Sequence, residues 1–377
     1  MRPALLALTG CGAGEPEALS AQQWHELDAL ADGHRLRPHL HARLIRGEIA
    51  IPVSNDISLL WQASYRENAL YMLAQRHALK HAAEVLAKAG IRALGLKGTA
   101  LAWRVWPAPA ERPMRDIDIL VAEAQAPLAY RVLQEANWDA PQLDDTALAR
   151  LAAQETHLPG LQSADGLMLE VHAHAWASAP LSGLAMPDGD DDGMMRRAGF
   201  DESLGIAVPS SEDMLAHLVI HCAVSHLFNT GPLALGDIDY LLRATAIDWA
   251  KFWRRAERQG FTRAAAIMLH LVDRWRQPGA AEMAGIPISI APELIARAED
   301  LLCQDPLSRK DINAIAGLRH GGAADRLGDH PLQPRSISQR LRDVPARGLS
   351  IGKSLLNAQT RADGAATAAM ARWLASD

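Results

Sequence analysis

Apolar positions return at helical spacing from about residue 20 onward. Trp24, Leu27, Leu30 and Ala31 share one face, and LWQASYRENALYMLAQRHALKHAAEVLAKAG continues for about eight turns, with Leu60, Leu70, Leu73 and Leu86 among its apolar positions, until Gly90 stops it. The period then changes. IRALGLKGTALAWRVW reads as a short apolar strand, a turn at Lys97-Gly98-Thr99 and the start of a helix. PAPAERPM, with three prolines in eight residues, is a loop feeding the strand RDIDILV. An amphipathic helix, PLAYRVLQEANW, precedes a further strand in GLMLEVHAHAW at 166–176, and the turn-rich MPDGDDDGMM at 186–195 ends the unit. From Ser211 the pattern is helical again: Ser210 and Asp213 have capping-box spacing, and HLVIHCAVSHLF, LGDIDYLLRA and AAAIMLHLVDRWRQ follow. Beyond about 305 the chain is rich in Arg, Gly and Ser, which predicts short helices or a loosely packed tail. The expected organisation is α+β: an N-terminal helical region (1–90), a core with a small sheet (91–200), a C-terminal helical domain (201–300) and a tail (301–377).

Composition narrows the function classes. The 377 residues are 49% hydrophobic, enough for two or three folded domains. Lys and Arg number 38 against 44 Asp and Glu, a net charge of −6, which offers no basic field and argues against a nucleic-acid polymer as partner. Cys11, Cys222 and Cys303 are odd in number and widely spaced, which suits a reducing compartment. LTGC at 8–11 has the spelling of a lipoprotein signal, but too few residues precede it for an apolar leader, and no apolar run approaches the ~20 residues of a membrane span. A cytoplasmic protein is expected.

The candidate chemistry lies in the strands. Successive side chains of a strand point to opposite faces, so Asp116 and Asp118 share one face while Ile117, Ile119 and Val121 take the other. Standing alone, this pattern is most simply an amphipathic strand with a solvated polar side. Glu170 and His172 also share a face of their strand, with Met168, and if the two strands are neighbours three carboxylates meet. Clustered carboxylates repel unless a divalent cation lies among them, and Mg²⁺ takes carboxylate, water and phosphate oxygens together. The Gly98-Thr99 turn at a helix start, with Lys97 beside it, suits anionic oxygens. It has neither the P-loop nor the dinucleotide-fold order of glycines. Turn, helix, proline loop and acidic strand in that order suggest nucleotide phosphates held between backbone amides and metal.

The block LGLKGTALAWRVWPAPAERPMRDIDILV at 94–121 resembles the signature of an uncharacterised bacterial nucleotidyltransferase family of the DNA polymerase β-like superfamily. LEVHAHAW at 169–176 and the helical HLVIHCAVSHLF and LGDIDYLL extend the likeness over about residues 20–275. The resemblance implies a polymerase β-like core flanked by helical regions. It makes Gly98-Thr99 the phosphate turn, with Thr where Ser is commoner. It makes Asp116 and Asp118 the metal pair and Glu170 the third carboxylate, holding one or two Mg²⁺, or Mn²⁺. Lys97, Arg115 and His172 join Gly98 and Thr99 as nucleotide-binding residues. The implied reaction transfers a nucleoside monophosphate from a nucleoside triphosphate to an unknown acceptor, in a biosynthetic tailoring role. Two other readings use the same fold: a non-catalytic nucleotide-sensing or partner-binding protein, and a toxin–antitoxin component. The sixteen residues between Thr99 and Asp116 exceed the spacing of compact superfamily members.

Three other patterns imitate sites. DGDDDG at 188–193 starts like a calcium loop, but Gly199 stands where the closing Glu is required. His217 and His221 share a helical face, with His226 beyond, which allows either a metal site or a helix lining the cleft. Asp237-Ile-Asp239 repeats the DxD spelling in a helical context, where residues two apart diverge.

Overall fold

The computed structural model describes residues 1–10, 18–176, 189–308 and 357–375, with Ile312 besides. Helix α1 (Arg2–Thr9) places Leu5, Leu6 and Leu8 in the interior, so the apolar start of LTGC is core; Cys11 lies outside the described residues. Helix α2 (Ala21–Gly33) opens with a capping box between Ser20 and Gln23, and α3 (Arg37–Ile45) follows after one turn. Helix α4 (Asn55–Lys88) runs 34 residues and closes through Gly90, whose φ of +71° lets the Ile91 N–H reach Leu86 O at 2.9 Å.

The buried face of α4 is not the one its leucines suggest. Leu60, Leu70 and Leu73 are exposed, and only Leu86 of the four expected positions is inside. The inner face carries Ile57, Trp61, Asn68, Met72, Gln75, Leu79 and Ala82. Two amides hold inner positions, and one has a clear reason: Asn68 Nδ2 donates to Ala110 O at 2.7 Å and pins the proline loop to the helix.

The sheet begins at β1 (Ala93–Gly95), followed by α5 (Lys97–Arg104), β2 (Asp116–Val121), α6 (Ala126–Glu135) and α7 (Asp145–Gln154). Strands β3 (Leu161–Gln162) and β4 (Met168–His172), helix α8 (Asp191–Arg197), β5 (Gly199–Asp201) and β6 (Ile206–Val208) complete it. Six strands stand in the order β3-β4-β2-β1-β6-β5. Strand β2 is antiparallel to β1 and parallel to β4, while β6 runs parallel to β1. The sheet therefore continues to Val208, past the expected core boundary at residue 200.

The helical part runs through α9 (Ser211–Val219), a π-helical segment (Ile220–Ser225), α10 (Leu233–Ala244), α11 (Trp249–Gln259), α12 (Thr262–Trp275), α13 (Ala280–Ala284), α14 (Pro292–Leu302) and α15 (Ala358–Ala375). Ser210 caps α9 by accepting from the Asp213 N–H at 3.2 Å. Most of the expected tail lies outside the described residues. Its α15 is docked, with Met370 and Ala371 buried and Asp363 bound by Arg2 at 2.6 and 2.8 Å. One apolar core runs from Leu6 through the sheet to Met370, and a second, around Trp24, Leu27, Leu40 and Trp61, fills the N-terminal helices. The protein is α+β, a small mixed sheet flanked by helices. No described helix is long and apolar enough to cross a membrane.

Candidate active site

The parallel register of β2 and β4 sets Asp116 opposite Met168, Asp118 opposite Glu170 and Leu120 opposite His172. With a period of two, Asp116, Asp118, Glu170 and His172 all project from one face. Ile117, Ile119 and Val121 lie in the core behind them. The three carboxylates predicted to meet are thus neighbours. Asp118 is 4% exposed, yet it has two cationic or protonatable partners: Lys97 Nζ at 3.2 Å and His172 Nε2 at 2.8 Å. Glu170 lies 3.6 Å from His172 Nε2 and 3.7 Å from His157 Nε2.

The charges respond to this crowding. Burial, then the charges of Asp118 and Glu170, push the Asp116 carboxyl up to about 6, only partly offset by Lys97 and His172. Burial also works against the charge of Asp118, but Lys97 and the His172 hydrogen bond outweigh it and hold this carboxyl well below its usual range. Burial opposes charge on His172 too; bonds to Asp118 and Glu170 prevail, and its pKa is raised. Asp118, Glu170 and His172 each offer one ligand atom, all within 4.8 Å of one another. Asp116 stands on the same face just outside that trio.

The Lys97-Gly98-Thr99 turn lies directly beneath. Leu96 N–H donates to Asp118 O at 3.0 Å, so the turn grows out of the β1–β2 ladder. Lys97 takes φ +46°, which bends the chain into α5. Burial disfavours its charge, but Asp118, Asp116 and Glu170 together raise the ammonium's pKa. Gly98 serves packing: a Cβ there would stand 2.7 Å from both Arg112 Cζ and Met114 Sδ. Thr99 is buried, and its Oγ1 accepts the Asp118 backbone N–H at 2.9 Å, which makes its hydroxyl a brace for the acidic strand.

Histidines close another side. His217 is 1% exposed, and neither ring nitrogen meets a well-placed hydrogen-bonding partner. Burial, then Lys97 and His172, lower its pKa to about 3, so the ring is neutral. His221, on the π-helical segment, feels both Lys97 and Asp118 and is likewise held far below its ordinary value, chiefly by burial. The rings of His217 and His221 stack at 6.1 Å and His226 meets His221 edge-on at 4.5 Å, but among the described residues the three do not converge as a metal site. Leu227 and Phe228 follow with φ of +47° and +65°, an unusual pair for residues with side chains.

Other candidates are committed elsewhere. Arg112 grips Asp237 through Nε at 3.0 Å and Nη2 at 2.7 Å, and Trp106 Nε1 donates to the same carboxylate at 2.8 Å. Asp237 therefore ties α10 to the loop before β2. Asp190 pairs with Arg197 and Asp191 accepts the Ala175 N–H, so these acids of the DGDDDG loop serve the fold; Asp188 lies outside the described residues. Arg115 is exposed at the entrance of β2. Two site neighbours had no sequence signal: His157, whose ring is 5.2 Å from His172, and Arg35, whose charge reaches Asp116 and Arg115 from the end of α2.

A small mixed sheet with paired acids beside a lysine–glycine turn defines a nucleotidyltransferase-like core. The profile of a family described as uncharacterised nucleotidyltransferase matches residues 20–277, and the chain belongs to that family. Its class of chemistry is the transfer of a nucleotidyl group. No curated protein matches the chain.

Proposed function

We propose that the protein is a divalent-metal-dependent nucleotidyltransferase of the polymerase β-like kind, using Mg²⁺ or Mn²⁺. It moves a nucleoside monophosphate from a nucleoside triphosphate onto a small molecule, a peptide or a protein. The observation that carries this reading is the in-register placement of Asp118 beside Glu170, with Asp116 on the same face and its carboxyl at about 6. Such crowding suits a shared cation. The residues fit one: Asp118, Glu170 and His172 present ligand atoms within 4.8 Å, and oxygen donors predominate among the acids, as Mg²⁺ requires. The imidazole widens the choice toward Mn²⁺.

Asp116, Asp118 and Glu170 would hold the ion, which when bound supplies neutralisation of the phosphates and polarisation of the α-phosphorus. Lys97 adds positive charge beside the same carboxylates. Glu170, flanked by His157 and His172, is the group placed to take the acceptor's proton as its oxygen attacks in line and pyrophosphate leaves. Incubation with each α-labelled nucleoside triphosphate, Mg²⁺ and a cell extract tests the reading. Wild type should transfer label and the Asp116→Asn/Asp118→Asn double variant should not; equal transfer by both would overturn the site.

A further inference from the structure

Helix α2 ends on an arginine where helices usually place glycine. Arg35 has φ +58°; its N–H bonds Asp32 O at 2.8 Å, and the Leu36 N–H returns to Ala31 O at 2.7 Å, a left-handed terminating turn. A residue with a Cβ is strained there, and such strain persists where surroundings hold it, often beside function. The surroundings do hold it. Gly231, in the loop after the π-helical segment, packs so closely on this turn that a Cβ there would stand 2.8 Å from His34 Nδ1. The Arg35 side chain thereby emerges beside the entrance of β2.

Among the described residues its guanidinium has neither an ion pair nor a hydrogen bond, although the residue is half-buried. The neighbouring charge that opposes it most is Arg115, and Asp116 is the carboxylate that favours it most. Arg115 likewise pairs with no described side chain; its backbone carbonyl accepts from the Tyr71 hydroxyl at 3.4 Å. Burial first, then Arg115, lowers the Arg35 pKa to about 10. Folding thus brings two unpaired arginines together at the Asp116 end of the strand pair, while the histidines gather at the Glu170–His172 end. Guanidinium groups match phosphate oxygens in a forked geometry.

We propose that Arg35, together with Arg115, binds the non-transferred phosphates of the nucleoside triphosphate, so that the N-terminal helices complete the nucleotide site. This rests on the nucleotidyltransferase reading and adds a direction to it: phosphates enter at the Asp116 end and the acceptor at the histidine end.

The test uses the full chain with Mg²⁺, the four ribonucleoside triphosphates and their monophosphates, and titration calorimetry. Arg35→Gly removes the side chain and relieves the turn; Arg35→Lys keeps the charge and loses the fork. Arg35→Gly should weaken binding of the preferred triphosphate by about tenfold, the order of a lost charge-assisted hydrogen bond. Its monophosphate affinity and melting temperature should match or exceed wild type, and Arg35→Lys should fall between. Unchanged triphosphate affinity in Arg35→Gly, with loss in Asp118→Asn, would overturn the phosphate role and leave the transferase reading standing. Equal losses on triphosphate and monophosphate, or a fall in melting temperature that accounts for the loss, would make Arg35 structural and overturn the proposal. Wild-type protein that binds no triphosphate would overturn both.

Discussion

The chain spells Asp-Ile-Asp twice, and the two copies do opposite things. In β2 the strand period turns Asp116 and Asp118 to one side, in register with Glu170, where acids outnumber the cations that answer them. In α10 the helical turn drives Asp237 and Asp239 apart, and each finds arginine: Asp237 meets Arg112, and Asp239 meets Arg243 at 2.6 Å and Arg276 at 3.2 Å. The strand copy concentrates negative charge, whereas the helix copy disperses it into buried ion pairs. A motif's meaning is carried by the period of the element that displays it.

That contrast can be broken most sharply by the same substitution at both places. Asp118→Asn should lower label transfer by at least about 10³-fold, a loss of roughly 4 kcal/mol in transition-state stabilisation. Asp237→Asn should instead destabilise the protein by about 3–5 kcal/mol, because Arg112 and the Trp106 N–H lose a buried partner, while the folded fraction keeps most of its transfer rate. Denaturant titration and a single-turnover assay separate the two; a reversed pattern would show the copies to be wrongly assigned. Thr99→Val comes next. It strips the brace from the Asp118 N–H, and a cost of about 1–3 kcal/mol is expected in the same titration.

The pH dependence sharpens the picture further. Asp116 is raised to about 6 from an unfolded value of 3.8. The folded state therefore binds the proton more tightly between those values. The group's contribution to stability is fully present below 3.8, declines as pH rises and is gone above about 6. In metal-free buffer the stability of wild type minus that of Asp116→Asn should fall across this window; a flat difference would refute the crowding. The smallest effect is thermal: Mg²⁺ should raise the wild-type melting temperature by a few degrees through linkage, and should leave that of Asp118→Asn unmoved.

Much of this architecture was legible in the residues. The DxD strand, the glycine turn, the Glu170–His172 strand and the later helices follow from period changes and from Gly and Pro. The inner face of α4 did not, because Asn68 and Gln75 occupy buried positions while Leu70 and Leu73 face water. Hydrophobicity alone cannot anticipate an amide drawn inside by a backbone carbonyl. Strands β5 and β6 were hidden by their brevity, three residues each, since pairing rather than pattern defines them. Thr99 looked like a phosphate ligand from its place after Gly98, and only the register shows its oxygen accepting from the strand. Arg35 joins the cleft across eighty-one positions of sequence, and nothing local marks it.

The π-helical segment at Ile220–Ser225 has a consequence best counted in residues. A turn closed from i to i+5 contains one residue more than an α-turn. Shortening the chain by one residue between His221 and Ser225 would let α9 continue as ordinary helix, and everything after it would arrive about 100° further round. His226, Phe228 and the loop that meets His34 would then be re-aimed as a block. The chain length of this one turn is a setting of the cleft, as much as any side chain within it.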